Sequence, residues 1–313
     1  MQIPFFQATS TSQNILLAGA GGGFDIVSGL PLYFFFRSLG KNVVLANLSF
    51  SALNFSNSKE VCFGTYLVNE DAQALPYFPE KFIFDWLHEE RGEQASMYAF
   101  SDQMGARPLA EGYAEIIKTH QIDTIVLVDG GTDSLMFGDE TRVGTIIEDA
   151  CSIVAASQQP NIKTYLAAIG FGVEHDFNHH ACLENIATLT KHDQFLGNVA
   201  ITKSMPEGEA FLQLVEYLNQ HMPLHRSIVM NSIASAVKGE FGDLHFTQRT
   251  KDTAQFISPL MNMYWFFELQ GIYERIGFAK NIINTETKTD IVKVYQGYRQ
   301  NTARRFEQNI PLK

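Results

Sequence analysis

The densest set of chemically capable side chains is the run Asp129-Gly130-Gly131-Thr132-Asp133-Ser134, which continues to Gly138-Asp139-Glu140. Four carboxylates within these twelve residues raise one another's pKa where they converge. Sets of this kind serve as acid/base pairs or as hard-cation sites. Asp129, Asp133 and Asp139 are therefore candidate catalytic residues, and Asp133, Asp139 and Glu140 are candidate ligands for Mg²⁺. Gly130, Gly131 and Thr132 are placed to contact a ligand beside them. Turn chemistry alone accounts for the glycines, but less well for four acids.

Three further loops carry unusual residues. The first is Gly19-Ala20-Gly21-Gly22-Gly23-Phe24-Asp25. The dinucleotide pattern G-x-G-x-x-G fails there, because its third glycine position is Phe24, and Asn47, Leu48 and Ser49 stand where a ribose-binding acid is expected. There is no Walker lysine. Asp25 would repel phosphate and compete for its amides, so Gly19, Gly21, Gly22, Gly23 and Asp25 suit a ligand with amines, hydroxyls or a metal. The competing reading is a tight turn with Asp25 capping a helix. The second loop, Gly170 to Asp176 followed by His179 and His180, offers His175 as an acid/base, since imidazoles exchange protons near neutral pH. His175 and His179 would share one face of a helix, but the H-E-x-x-H zinc signature is absent. The last begins Asn231-Ser232, where amide and hydroxyl could contact a ligand; no G-x-S-x-G elbow marks Ser232 or Ser134 as a nucleophile. Beyond it, His245, Thr247 and Arg249 alternate as an edge strand or lid would.

Positioning these loops requires strands that end at one rim. Apolar runs at Asn14–Ala18, Val43–Leu48, Thr124–Val128, Lys163–Ile169 and Ser227–Met230 read as strands. Helices are expected at about Leu109–His120, Thr145–Ser157, His180–Thr190 and Glu207–His221, and another should end near Gly40 with a kink or late start at Pro31. Strands that are apolar throughout and alternate with helices indicate a parallel sheet covered on both faces. The expectation is one α/β domain over residues 1–313, Rossmann-like, with a mostly parallel sheet. An aromatic-rich insertion or cap spans about 49–104 with a strand near Val61–Val68, and the part from about 258 to 313 is helical, at Leu260–Arg275 and Asp290–Arg305. Ligands of such sheets bind beyond the carboxyl ends of the strands.

The runs LLAGAGGGFDIVSGLPL (Leu16–Leu32), VLVDGGTDSLMFGDE (Val126–Glu140), GFGVEHD (Gly170–Asp176) and SPLMNMYWFFEL (Ser258–Leu269) resemble the prokaryotic proteins grouped as domain of unknown function family 1152. That resemblance covers nearly the whole chain. It implies a Rossmann-like fold and a shared site at Asp25, Asp129, Asp133 and Asp139, with no reaction attached. Over a shorter stretch, GFGVEHDF is similar to the glycine-glycine-x-glutamate-glutamate-aspartate turn of deoxyhypusine synthase, whose NAD-binding fold is related to that of sirtuins. The Asp-Gly-Gly-Thr-Asp run is similar to the His-Gly-Thr-Asp segment of bacterial asparaginases, with Asp129 in place of the histidine.

Composition narrows the function classes. With 45% hydrophobic and 18% charged residues over 313 positions, the chain is far from a disordered profile. Its net charge of −11 opposes a nucleic-acid backbone, and Arg304–Arg305 is the largest cationic cluster. Apolar stretches are too short to span a bilayer, no signal peptide is evident, and three dispersed cysteines form no disulfide framework, so a cytoplasmic location with no membrane partner is expected. Met261–Leu269 suits a core or an interface, which leaves a homo-oligomer open. Three functions follow: a hydrolase or group transferase on a small polar metabolite, an NAD- or nucleoside-binding enzyme of the sirtuin or deoxyhypusine-synthase type, or a non-catalytic ligand-binding or scaffold protein. Mg²⁺ and NAD are the cofactors these readings allow.

Overall fold

A computed structural model describes residues 2–245 and 255–310. Their centre is a nine-stranded sheet. In chain order its strands are β1 (Asn14–Gly19), β2 (Asn42–Ser49), β3 (Lys59–Cys62), β4 (Thr65–Val68), β5 (Ser96–Ser101), β6 (Thr124–Gly130), β7 (Lys163–Ile169) and β8 (Phe195–Ala200). A separate two-stranded ribbon pairs β9 (Gly242–Asp243) with β10 (Phe256–Ile257), and β11 (Met263–Glu268) returns to the main sheet. The spatial order is β3-β4-β5-β2-β1-β6-β7-β11-β8. β5, β2, β1, β6 and β7 are mutually parallel, while β4 and β11 run antiparallel to their neighbours.

The central strands are apolar on both sides because both faces are covered. Ile15, Leu17, Leu45, Val126 and Val128 point into one core layer; Leu16, Ala18, Val44, Ala46, Ile125 and Leu127 alternate into the other. The first layer is closed by α2 (Asp25–Ser38), α3 (Pro79–Asp85), α7 (Pro206–His221) and α8 (Ile228–Lys238), with the short α1 (Pro4–Ala8) stacking Phe5 on Phe266 at 4.0 Å. The second is closed by α4 (Ala106–His120), α5 (Ile146–Ser157), α6 (His179–Lys191), α9 (Leu269–Tyr273), α10 (Ala279–Ile282) and α11 (Lys288–Asn301). No helix among the described residues is long and apolar enough to cross a membrane.

Three expectations are corrected. Ser227–Met230 is no strand: Ser227 caps α8, its hydroxyl accepting from the Met230 amide at 3.1 Å, and Met230, Ile233, Ala234 and Val237 bury one face at helical spacing. Asn231 and Ser232 consequently lie within a helix rather than on a strand-end loop. Leu260–Arg275 is not one helix but β11 followed by α9; its aromatic residues fit between β7 and β8, where both faces of a strand are packed. The aromatic-rich region of 49–104 supplies β3, β4 and β5 to the main sheet as well as α3, so much of it is sheet rather than cap. Pro31 lies inside α2, which runs unbroken from Asp25. The Thr247 and Arg249 expectation falls outside the described residues.

The connection that matters most lies at the middle. From β1 the chain crosses to β2 on one side, and β6 lies on the other, so the strand order reverses between β1 and β6. A crevice opens at such a point, beyond the carboxyl ends of both strands. Its floor depends on Gly19. A Cβ there would lie 2.0 Å from Asn47 Oδ1 and 2.9 Å from the Ile26 amide, so α2 can start this close to β1 only if position 19 has no side chain. Gly19→Ala is expected to destabilise the fold by about 1–3 kcal/mol through overpacking. A denaturant midpoint equal to the parent's would contradict this packing account.

Candidate functional site

The crevice at the switch point is a cleft with a cavity volume of about 460 Å³. Gly21–Asp25 and Asp129–Gly130 form its floor beyond the ends of β1 and β6, and Asp133, Gly144, Thr145, Glu174, Phe50, Tyr77 and the segment His225–Met230 complete its lining. Asp25 and Asp133, more than a hundred residues apart, thus face the same space.

Each acid is held by a specific local device. Asp25 opens α2 and turns back, so that its Oδ2 accepts from the Gly21 amide at 2.6 Å. Gly22 and Gly23 allow that return by adopting φ of 94° and 65°. Asp129 sits at the end of β6 and is 1% exposed; Ser134 donates to its Oδ2 from both hydroxyl and amide, the latter at 3.2 Å. Asp133 accepts from the Thr145 amide at 2.7 Å and hydroxyl at 2.5 Å, which fastens the loop to the start of α5. Asp149, in the first turn of α5, is wholly buried, and neither of its oxygens has a hydrogen-bond partner among the described residues. Glu174 enters from the loop after β7, with Oε2 likewise unpartnered.

Two glycines let these groups meet. A Cβ on Gly131 would lie 2.3 Å from Glu174 Oε1, 3.1 Å from Asp133 Oδ1 and 3.2 Å from Asp129 Oδ1. A Cβ on Gly21 would lie 3.0 Å from both oxygens of Asp149 and from Asp25 Oδ2. Oxygens of Asp25, Asp129 and Asp149 all fall within 4.8 Å of one another. Burial, with the Asp133 charge beside it, pushes the Asp25 carboxyl up to about 8. Burial and the surrounding acids push Asp129, Asp149 and Glu174 in the same direction. Among the described residues no lysine or arginine pairs with any of the five. Lys288 is taken by Glu148 at 2.7 Å, and Arg226 lines the cleft without an ion pair to any of them.

Other expected site residues go elsewhere. Asp139 and Glu140 turn away from the cleft into a structural knot: Arg305 bonds Asp139 at 2.8 Å and Glu140 at 2.6 Å, while Glu140 also accepts from the Phe137 and Gly138 amides and from Asn185. Neither is free to hold Mg²⁺ beside Asp133. His175 is exposed and outside the cleft lining; Glu174, its neighbour, points inward instead. Of His175 and His179 only His179 lies on α6, packed against Phe171 and Phe177, so that pair does not share a helix face. Asn231 bonds Asn219 at 2.7 Å between α7 and α8, and Ser232 accepts from Gln255 at 3.2 Å, both serving packing. Gly130 lines the floor, Gly131 lies against the acids, and Thr132 is buried beside them with its hydroxyl unpartnered. The Gly19–Gly23 loop offers fewer donors than its composition suggests: the Gly21 amide is given to Asp25 and the Gly23 amide to Leu48 O.

Asp149, Glu174, Tyr77 and Arg226 were not among the expected site residues. The signal for Glu174 lay in the Gly-Phe-Gly-Val-Glu turn itself. An acid in the first turn of a helix, as Asp149 is, ordinarily reads as an answer to the helix dipole.

The architecture and the cleft define a Rossmann-like α/β protein with a carboxylate-lined pocket at its switch point. The chain belongs to the family described as Protein of unknown function (DUF1152), whose sequence model matches residues 16–310. Among solved structures it is similar to the zinc-inhibited form of teicoplanin deacetylase Orf2, at 12% identity and a TM-score of 0.40, over 81% of this chain and 97% of that one. No curated protein matches the sequence.

The loop is clamped from behind by Glu80, which accepts from Asn47 Nδ2 at 2.7 Å, while the same amide group donates to Gly23 O at 2.8 Å. Burial pushes the Glu80 carboxyl from its usual 4.5 up to about 7. A group whose folded pKa is raised binds its proton more tightly in the folded state. Its stabilisation is complete below pH 4.5 and is lost as pH rises through 7. Glu80→Gln is expected to gain on the order of 2–3 kcal/mol relative to the parent between those limits. Thermal melts of both proteins from pH 4 to 8 check this; a constant difference across the range would contradict it.

Proposed function

We propose that this protein is an enzyme, a hydrolase or group transferase, acting on a small polar metabolite bound in the switch-point cleft. The observation that carries the reading is the meeting of acids from three strand ends, Asp25 after β1, Asp129 and Asp133 at and after the end of β6, and Glu174 after β7, around one cleft. A fold gains nothing from gathering like charges. Active sites gather them because proton transfer needs positioned carboxyl groups shielded from bulk water.

Within this reading Glu174 is the proton acceptor, because one of its oxygens has no partner and it lines the cleft. It takes the proton of the water or hydroxyl as that oxygen bonds the substrate's electrophilic carbon or phosphorus, and returns it to the leaving group as the bond to that group breaks. Asp129 and Asp133, each fastened by a hydroxyl and an amide, are fixed orienting groups for substrate donors. Arg226, which also lines the cleft, supplies a positive charge for an anionic part of the substrate, and Phe50 and Tyr77 give the cleft an apolar flank.

The dinucleotide alternative has less support. The end of β2 carries Asn47, bonded to Gly23 O and Glu80, so no free acid is there for a ribose, and the Asp25 carboxylate occupies the amide a phosphate would need. Calorimetry with millimolar NAD is expected to show no heat; saturable binding would reverse the choice. For the hydrolase reading, p-nitrophenyl acetate, p-nitrophenyl phosphate and bis-p-nitrophenyl phosphate serve as probes. Turnover of at least one is expected, with a loss on the order of 10²–10⁴-fold in Glu174→Gln. Parent-level turnover in a folded Glu174→Gln variant, or no turnover of any probe, would count against it.

A further inference from the structure

We propose that Asp25, Asp129 and Asp149 bind one divalent cation of the hard, oxygen-preferring class, Mg²⁺ or Mn²⁺. The acids alone would not justify this; Asp149 does. It is 0% exposed, and both of its oxygens lack a hydrogen-bond donor among the described residues. A buried carboxylate is ordinarily satisfied, because leaving it bare forfeits its hydration without replacement. One oxygen each of Asp149, Asp25 and Asp129 lies within 4.8 Å of the others, and no amide, hydroxyl or cationic side chain among the described residues bonds either oxygen of Asp149.

The spacing fits one ion. Oxygens on opposite sides of a cation bound at about 2.1–2.4 Å are about 4.2–4.8 Å apart. Space is kept clear by Gly21, where a Cβ would meet both Asp149 oxygens and Asp25 Oδ2 at 3.0 Å. The three carboxylates come from the start of α2, the end of β6 and the first turn of α5, so a cation would tie together the elements on either side of the switch point. The donor set is all carboxylate, with no imidazole or thiolate, which favours Mg²⁺ or Mn²⁺ over Zn²⁺. Asp133 and Glu174 stand close enough to add negative potential while being directed toward the cleft.

The inference goes beyond the reaction proposed above and does not rest on it, so its test reads binding without turnover. The full chain, stripped with EDTA, is titrated with MnCl₂ while free Mn²⁺ is followed by electron paramagnetic resonance. The same samples are melted with and without MgCl₂. The expected result is uptake of about one Mn²⁺ per chain, competed by Mg²⁺ and accompanied by a raised Tm, as binding to the folded state alone requires. Asp149→Asn should weaken uptake by at least about tenfold while leaving the metal-free Tm at or above the parent's, because a bare buried charge has been removed. Asp129→Asn is the second variant and should lose uptake too. Absence of uptake at millimolar Mn²⁺ would overturn the proposal, since protons alone would then neutralise the cluster. Undiminished uptake in both variants would overturn it by placing the ion elsewhere, and preference for Zn²⁺ with no response to Mg²⁺ would overturn the hard-cation class.

Discussion

Five buried or half-buried carboxyl groups gathered around two glycines at one cleft cannot all carry full charge unless something positive lies among them. This constraint organises the middle of the molecule. Asp25, Asp129, Asp133, Asp149 and Glu174 crowd around the backbones of Gly21 and Gly131, and the raised pKa values of four of them express their burial first and this mutual repulsion second. Whatever relieves that repulsion, protons, a cation or a ligand's amines, becomes part of what the cleft does.

The fold itself provides part of the relief. α2 and α5 both begin at the cleft, so the positive ends of two helices of 14 and 12 residues are directed at the acids. Asp25 is the first residue of α2, Asp133 bonds the Thr145 amide at the start of α5, and Asp149 lies in that helix's first turn. Parallel strands joined by helices put helix N-termini at the carboxyl edge of the sheet, and the reversal between β1 and β6 leaves a gap there rather than a covering connection. The same topology that makes an anion site in dinucleotide-binding proteins therefore holds anions of the chain's own.

How far the sequence disclosed this depends on what each residue's signal was local to. Buried parallel strands announce themselves by unbroken apolar runs, and Lys163–Ile169 has the expected bounds in the structure. Ser227–Met230 is also apolar, but four residues do not distinguish a strand from the first turn of a helix, and the decisive feature was the capping serine. Met263–Glu268 failed in the opposite direction, because aromatic residues packed on both faces show no alternation. For the candidate site, Asp25, Asp129 and Asp133 were legible since each lies beside glycines near a strand end. Asp139 and Glu140 shared that local signature, yet their destination is set by Arg305, about 165 residues away, which no spacing rule registers. Asp149 was hidden for a related reason: only its lack of partners in three dimensions distinguishes it from an ordinary first-turn acid.

The glycine loop shows how one substitution of role changes the chemistry a fold can host. In a phosphate-binding loop the amides after the first strand are left free for an anionic ligand. Here Asp25 Oδ2 occupies the Gly21 amide, so the chain supplies its own anion where the ligand's would be. An incoming phosphate would then meet a carboxylate backed by Asp129 and Asp149 rather than open donors. A carboxyl-lined floor suits cations and hydrogen-bond donors, and Arg226 is the cationic side chain of the same cleft. Under the proposed function, a ligand of this cleft presents hydrogen-bond donors or a bound cation to the acids and negative charge to Arg226, as a small polar metabolite can.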